Sequence, residues 1–206
     1  SVPNLNRLRL SSLDVAEIDN AILKLLEKEK RILPHVHLSL QAGDNMILKR
    51  MKRRHSREDA INIVRQIKLL RPETVFGADL IAGFPTETEE MFLNTVKLVE
   101  ECDLTFLHVF PFSPRTGTPA ARMPQVEKQI IKERAKILRN LGEKKLSEHF
   151  EKLKNKKISV IVENDNRART DSFAKVSLDR DYPSGEILNM IVTGKDEFGL
   201  IGKVVA

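Results

Sequence analysis

Polar side chains stand at or near the ends of four apolar, strand-like runs in the first part of the sequence. They are Ser11, Ser12, Gln41, Asp79, Ser113 and Arg115. In a parallel βα barrel the carboxyl ends of the strands form the active site, so polar residues at those ends are candidates for binding and chemistry. Any one of them would also fit a turn or a buried, hydrogen-bonded group. Because all four runs supply at least one, we expect a polar ligand site at this end of a sheet.

The segment IAGFPTETEE, residues 81–90, joins the third run to a helix. Gly83 permits a close approach of backbone to ligand, and the first N–H groups of a helix lack intrahelical partners. We therefore expect free N–H groups facing a ligand here, although strand-Gly-Pro-helix junctions also occur for turn geometry alone. The later segment SPRTGTPA predicts a rigid loop whose Arg115 clamps a carboxylate or phosphate, or else a plain surface turn.

The densest positive charge is KRMKRRHSR, residues 49–57, with six Lys or Arg in nine positions. Such a run is typical of a solvated helix face, yet its density equally favours contact with a phosphate backbone. The candidate RNA contacts in it are Lys49, Arg50, Arg53 and Arg54. Residues 151–206 are nearly neutral, so RNA binding there would depend on individually placed side chains, namely Arg167, Arg169 and Phe173.

Several chemistries are excluded by residue count or missing motifs. Cys102 is the single cysteine, so no internal disulfide forms and the chain's own thiolates cannot hold a zinc ion or an iron–sulfur cluster. The sequence has no Walker loop, no GxGxxG and no recognisable Ser/His/Asp arrangement. His35, His37 and His108 lack helical metal-ligand spacing, so we expect core or interface histidines and no metal site.

The elements that must position these residues alternate strand and helix. Apolar runs predict strands at 8–13, 36–41, 76–83 and 106–112. Helices are predicted from Asp14 as N-cap, over 56–70 from a Ser56/Asp59 capping box, and after Thr86. This order is typical of a parallel βα architecture, here a partial barrel.

The second part of the chain changes character. A long charged helix is predicted over 124–155, followed by β-rich runs at 158–163, 172–178, 185–193 and 200–205 that indicate a small all-β module. We divide the chain into residues 1–123, a linking helix at 124–156 and a β domain at 157–206.

The whole chain of 206 residues carries a formal net charge of +6 and no apolar run long enough for a membrane span. We expect a cytoplasmic protein with no membrane partner. The first residue is Ser1 and a strand follows almost at once, which suggests a piece of a longer protein.

Three segments resemble the second half of the radical S-adenosylmethionine core of tRNA and ribosomal-protein methylthiotransferases. They are HVHLSLQAGDNMILKRMKRRHS, GADLIAGFPTETEEMF and HVFPFSPRTGTPAARMP. RTDSFAKVSL, GEILNMIVTG and LIG resemble the TRAM module that ends those enzymes. Within the family, RLRLSS and HVFPFSPRTGTPAA are most similar to the branch acting on threonylcarbamoyladenosine at tRNA position 37.

The resemblance implies S-adenosylmethionine, two [4Fe–4S] clusters and tRNA for the whole enzyme. This chain lacks the cluster cysteines, so we expect no catalytic residue in it, no bound cofactor and no activity without the missing N-terminal part. The implied cofactor-binding residues are Ser12, Gln41, Asp79, Ile81, Gly83, Phe84 and Pro85. Arg115 would lie near the substrate, and Thr86 stands where the family usually has glycine.

Two other functions fit the residues. One is a noncatalytic RNA-binding protein that uses the half-core as a scaffold, and the other is a βα-barrel enzyme for phosphorylated metabolites. A half barrel also leaves a strand edge at residues 7–11, so we expect self-association through that edge or its coverage by the chain's own terminus.

Overall fold

The computed structural model describes residues 2–205, which form a mixed α/β part followed by a β-barrel. Four strands, β1 (Leu8–Leu13), β2 (Ile32–Gln41), β3 (Val75–Ala82) and β4 (Leu104–Pro111), make a parallel sheet in the order β1-β2-β3-β4. The predicted parallel βα arrangement is confirmed.

Five helices accompany the strands. They are α1 (Asn20–Lys28), α2 (Asn45–Arg50), α3 (Arg57–Leu70), α4 (Glu89–Glu101) and α5 (Lys128–Leu153). The predicted capping box starts α3: Ser56 accepts the N–H of Asp59, whose carboxylate accepts the N–H of Ser56. Both exchanges satisfy donors that the helix itself leaves unpaired, which explains why α3 begins there.

The predicted start of the first helix at Asp14 is wrong. Asp14 caps only a 3-10 turn, Val15–Glu17, and the chain then returns to an extended conformation. The helix α1 begins five residues later, where Asp19 accepts the N–H groups of Ala21 and Ile22. Two aspartates therefore compete as caps, and the second one starts the longer helix.

The parallel sheet has two chemically different faces, because side chains alternate along a strand. One face carries apolar residues against the helices, including Val36, Leu38, Phe76, Leu80 and Leu104, all fully buried. The other face carries the polar and aromatic side chains of β1 to β4; they are Arg9, Ser11, His35, His37, Asp79, Phe106 and His108. We call this second surface the polar face.

The C-terminal part is a closed barrel of five strands in the order β5-β6-β7-β9-β8. The strands are β5 (Lys157–Asn164), β6 (Arg167–Thr170), β7 (Lys175–Ser177), β8 (Ile187–Lys195) and β9 (Leu200–Val205). Four of them overlap predicted runs, whereas β6 was not predicted. Its four residues alternate charged and small side chains and offer no apolar run to detect.

Helix α5 belongs to two cores. Ala135 and Leu138 pack with the apolar face of the parallel sheet, and Gly142 lies against Leu107 of β4. One end of the helix thus holds the sheet, while Phe150 packs in the core of the β-barrel. The 26 residues of α5 are about 39 Å long and join the two parts without a flexible linker.

Polar contacts also join the β-barrel to the polar face. Arg7 donates to the Asp171 carboxylate at 2.5 Å and to the Ser159 hydroxyl at 2.6 Å. Arg9 donates to the carbonyl oxygens of Thr170 and Asp171, both at 3.2 Å. The loop after β6 is therefore held against β1.

Phe173 is the centre of this contact. Its ring stacks on His35 with 4.5 Å between ring centroids and meets Phe106 edge-on at 5.5 Å. The guanidinium groups of Arg9 and Arg169 lie over the ring at 4.9 and 4.4 Å from its centroid. With φ of +79°, Phe173 adopts a left-handed backbone that costs a non-glycine residue free energy, so the packing of the ring must offset that cost.

We expect acid to weaken this interface. Burial lowers the pKa of His35 to about 3 and that of His149, whose Nε2 lies 3.3 Å from the Ser172 hydroxyl, to about 4. The unfolded chain protonates both near pH 6.5, so between pH 6.5 and 4 it binds more protons than the folded chain. Urea denaturation at pH 7 and pH 5 should show a loss of about 2 kcal/mol per histidine in the free energy of unfolding.

The variant His35→Phe is the matched control for this pH dependence. It keeps a ring against Phe173 and loses no hydrogen bond, since neither buried ring nitrogen of His35 has a partner. We expect about half of the pH dependence to disappear. An unchanged difference between pH 7 and pH 5 in this variant would contradict the assignment.

Strand β1 forms one edge of the parallel sheet, pairing only with β2 among the described residues. Leu8, at its start, is 41% exposed. Self-association through this edge remains a prediction. No helix in the described range 2–205 is both long and apolar enough to cross a membrane.

Candidate functional site

The carboxyl ends of the parallel strands carry an unusual concentration of left-handed backbone. Ser12 near the end of β1, Gln41 at the end of β2, Gly83 after β3 and Thr86 three residues further have φ values of +54°, +66°, +75° and +68°. Three of these four residues are not glycine and so store strain. Such strain is typical of functional sites, where the surrounding structure holds it in place.

A cavity of about 430 Å³ opens at this end of the sheet. Its apolar wall is made by Ile81 and Phe84, and Gln41 adds an amide. The remaining lining residues come from the segment after α2 and from a later loop; they are Arg50, Met51, Lys52, Arg53, Thr118, Pro119 and Ala120. An apolar wall with a few polar and cationic groups suits a small ligand that has both a flat ring system and a carboxylate.

Three of the seven residues predicted to bind the cofactor line this cavity: Gln41, Ile81 and Phe84. Ser12 and Asp79 instead line a smaller cavity of about 120 Å³ on the polar face. The residues that sequence analysis missed, Thr118 to Ala120, lie in the predicted rigid loop, where only Arg115 was singled out. Arg115 is exposed and lines neither cavity.

Three of the N–H groups expected to face a ligand at the GFPTE junction are instead engaged by the protein. Gly83 donates its N–H to the Glu87 carboxylate at 2.9 Å, and Thr86 donates to the carbonyl of Pro124 at 3.1 Å. Glu87 in turn donates its N–H to the carbonyl of Phe84 at 2.9 Å. Gly83, Thr86 and Glu87 therefore donate within the protein, so these three N–H groups form no anion cradle, and the junction shapes the cavity wall through Phe84.

A buried ion pair fixes the junction to α5. Arg134 donates to the carboxylate and to the carbonyl of Glu87, both at 2.9 Å, and the two side chains are 6% and 1% exposed. Burial raises the pKa of Glu87, against the opposing effects of the Gly83 N–H and of Arg134. This pair had no signal in the sequence, because its partners are 47 residues apart.

Most of the basic run is tied to its own chain. Arg53 donates to the carbonyl of Ser39 at 2.8 Å and pairs with Asp14 at 3.2 Å, while Arg54 pairs with Glu17 at 2.7 Å. Arg50 reaches the carbonyl of Thr86 at 3.4 Å. Within residues 2–205, no ion pair holds the exposed Lys49 or Lys52, which leaves these two for an external phosphate.

The candidate RNA residues of the β-barrel are likewise engaged. Phe173 is covered by His35, and Arg169 pairs with Glu163 at 2.6 Å while lying over the Phe173 ring. The guanidinium of Arg167 lies 3.8 Å from the centroid of Phe198. In this arrangement Phe173 presents no free ring for a base to stack on.

Two of the three histidines meet one carboxylate on the polar face. His37 and His108 both approach Asp79, whereas His35 lies against Phe173. His37 and His108, expected from the sequence to be core or interface residues, therefore approach one acceptor, with side chains 6% and 53% exposed.

The single thiol does not fit an iron–sulfur cluster. Cys102 caps the end of α4, is 1% exposed, and has a pKa that burial raises to about 12. A cluster needs several thiolates, so none of its usual protein ligands is supplied by this chain.

Comparison with known proteins shows that this chain is similar to one family model and to a group of enzymes. Residues 7–99 match the model described as the Radical SAM superfamily. The sequence is 53% identical over 196 residues to the threonylcarbamoyladenosine tRNA methylthiotransferase MtaB of Rickettsia prowazekii, covering 95% of this chain and 47% of that protein. The Bacillus subtilis protein of the same name is 32% identical over 205 residues, covering 99% and 44%.

A second kind of relative is the tRNA-2-methylthio-N(6)-dimethylallyladenosine synthase of Ehrlichia canis, 39% identical over 141 residues, covering 68% of this chain and 32% of that protein. The chain spans about half the length of the curated relatives it matches most fully.

The fold also has a counterpart among solved structures. Coproporphyrinogen III oxidase (HemN) from Escherichia coli, a radical SAM enzyme, aligns with a TM-score of 0.55 and 20% identity over 68% of this chain and 32% of that one. This likeness concerns the arrangement of strands and helices only.

Proposed function

Because this chain is a relative of the radical SAM tRNA methylthiotransferases over nearly its whole length, we propose that it forms part of an enzyme that methylthiolates threonylcarbamoyladenosine in tRNA. The observation that carries this proposal is the 53% identity over 95% of the chain to a protein named for that activity. The strained backbone at Gln41, which lines the larger cavity, supports a binding site within residues 7–99, the segment that matches the family model.

The residues around the larger cavity fit S-adenosylmethionine. Ile81 and Phe84 offer an apolar wall for its adenine, and Gln41 offers an amide to its ribose or methionyl part. The cations Arg50 and Lys52 complement its carboxylate. When bound beside an iron–sulfur cluster, this cofactor supplies radical chemistry and a methyl group. This chain's own share is to hold and orient the cofactor and to exclude water.

We propose that the β-barrel is a TRAM module that helps to bind tRNA, and that the enzyme acts in the cytoplasm. Its closed five-stranded form is consistent with small β-barrels that bind nucleic acids. Since Phe173 is covered, the RNA contacts would come from other side chains, with the exposed Lys49, and Lys52 at the larger cavity, as the accessible cations.

A chimera tests the proposal, because the other protein supplies the cluster cysteines that this chain lacks. This chain would replace the corresponding segment of the Rickettsia prowazekii relative, in a bacterium that cannot methylthiolate threonylcarbamoyladenosine. We expect mass spectrometry of tRNA nucleosides to detect the methylthiolated product. In the same chimera, Phe84→Ala should lower the product formed at least tenfold, because it opens the apolar wall of the cavity.

The matched control is Leu69→Ala, which truncates a side chain that is 83% exposed on α3 and should leave product formation unchanged. A chimera that folds and holds its iron but forms no product would refute the proposal. Equal product from the Phe84→Ala and Leu69→Ala chimeras would refute the placement of the cofactor.

A further inference from the structure

Three potential metal ligands converge on the polar face, and none of them lines the larger cavity. His37 Nε2 lies 2.9 Å from Asp79 Oδ1, and His108 Nδ1 lies 3.3 Å from the same oxygen. All three ligand atoms lie within 4.8 Å of one another. We call these residues the His–Asp cluster.

The three side chains come from neighbouring strands, which makes their arrangement rigid. Asp79 of β3 is the register partner of His108 of β4, and His37 of β2 is the partner of Gly77. Gly77 also makes room for the imidazole, because a Cβ at that position would lie 2.6 Å from His37 Nδ1. Ligands on strands are held more precisely than ligands on loops.

The spacing suits a transition-metal ion. Zinc binds imidazole nitrogen and carboxylate oxygen at 2.0–2.2 Å, so two ligands of a tetrahedral site lie about 3.3 Å apart. Both distances to Asp79 are close to that value, and only the two imidazoles must approach each other. Their rings are already neighbours, with 4.6 Å between centroids and 36° between the ring planes.

Access and charge also permit a bound ion. The adjoining cavity of about 120 Å³ has room for water or a small ligand in the open coordination positions. Asp79 supplies one negative charge. The nearby cation Arg9 is directed to the carbonyls of Thr170 and Asp171 and to the Phe173 ring.

We propose that His37, Asp79 and His108 bind one divalent transition-metal ion of the zinc class, with the remaining positions open to the smaller cavity. Two imidazoles and one carboxylate are the ligand set of many three-ligand sites with open positions. The site uses no cysteine, so its ligands differ from the thiolates that hold an iron–sulfur cluster.

Cobalt(II) titration of the chelator-treated chain tests the site, because bound Co²⁺ absorbs visible light according to its ligand geometry. We expect saturation at one Co²⁺ per chain and displacement by Zn²⁺. Asp79→Asn and His108→Ala should each weaken binding at least tenfold. Gly77→Ala should weaken it 10- to 100-fold while keeping all three ligands, because the added methyl moves the His37 ring.

His35→Phe is the control, since it replaces the neighbouring histidine without touching the His–Asp cluster, and it should bind Co²⁺ within twofold of the parent chain. Circular dichroism shows that each variant is folded before titration. Failure of the folded parent chain to bind Co²⁺ would overturn the proposal. Equal binding by the Asp79→Asn and parent chains would overturn it as well.

Discussion

Replacing Glu87 with glutamine should lower the free energy of unfolding by about 3–5 kcal/mol, the largest loss that we expect from a single polar substitution in this chain. The change leaves the buried guanidinium of Arg134 without its carboxylate partner, which is 1% exposed in the parent protein. It also weakens the acceptor for the Gly83 N–H, so the wall of the larger cavity loosens. Urea denaturation at pH 7 measures the loss.

Two comparisons separate the buried pair from general charge effects. Glu89→Gln removes the other carboxylate near Arg134, at 3.1 Å, but that carboxylate is 68% exposed, so we expect a loss of about 0–1 kcal/mol. In the double variant Glu87→Gln with Arg134→Met, neither charge of the pair remains and an amide oxygen can still accept the Gly83 N–H, so stability should return to within about 1 kcal/mol of the parent. Equal losses for Glu87→Gln and Glu89→Gln would show that the buried pair has no special role.

Truncation of Phe173 to alanine should cost about 2–3 kcal/mol and separate the unfolding of the two parts of the molecule. The ring links the β-barrel to His35 and Phe106 of the sheet, and its removal leaves the link to polar contacts and α5. The sequence has a single tyrosine, Tyr182, and no tryptophan, so tyrosine fluorescence reports on the β-barrel alone. Helical circular dichroism reports mainly on the α/β part.

In the parent chain the two signals should change together, as in a single cooperative transition, and in Phe173→Ala they should separate. Phe173→Gly should be about 0.5–1 kcal/mol more stable than Phe173→Ala, because glycine adopts the φ of +79° without strain. Phe198→Ala serves as the control: its ring packs under Arg167 and Lys175 of the β-barrel, so its loss should leave the transitions coincident. Coincident transitions in Phe173→Ala would contradict the proposed link.

The parallel strands were predictable because each of them is largely buried and therefore consists of a run of apolar residues. The same reasoning could not find β6, whose residues alternate between Arg167 or Arg169 and small side chains. It misplaced the first helix because Asp14 and Asp19 both have the side chain of an N-cap, and only the structure shows which one precedes a full helix. Local patterns therefore identify elements better than they identify element ends.

The candidate site was predictable only in part, for a physical reason. Gln41 and Ile81 follow from their places at strand ends, which sequence reveals. The meeting of His37, Asp79 and His108 depends on strand register, which no single run of sequence contains. The pairing of Arg53 and Arg54 with Asp14 likewise depends on tertiary structure, so a dense basic run could not be distinguished from an RNA-binding surface in advance.

The continuous course of α5 through both cores limits how this protein can vary in length. One residue inserted between Leu138 and Phe150 would advance the helix by about 1.5 Å and turn it by about 100°. The β-barrel would swing with it, and Phe173 would leave His35. Only insertions or deletions of whole pairs of turns, about seven residues, would bring the β-barrel back to the same side of the sheet, so the helix sets both the distance and the direction between the two parts.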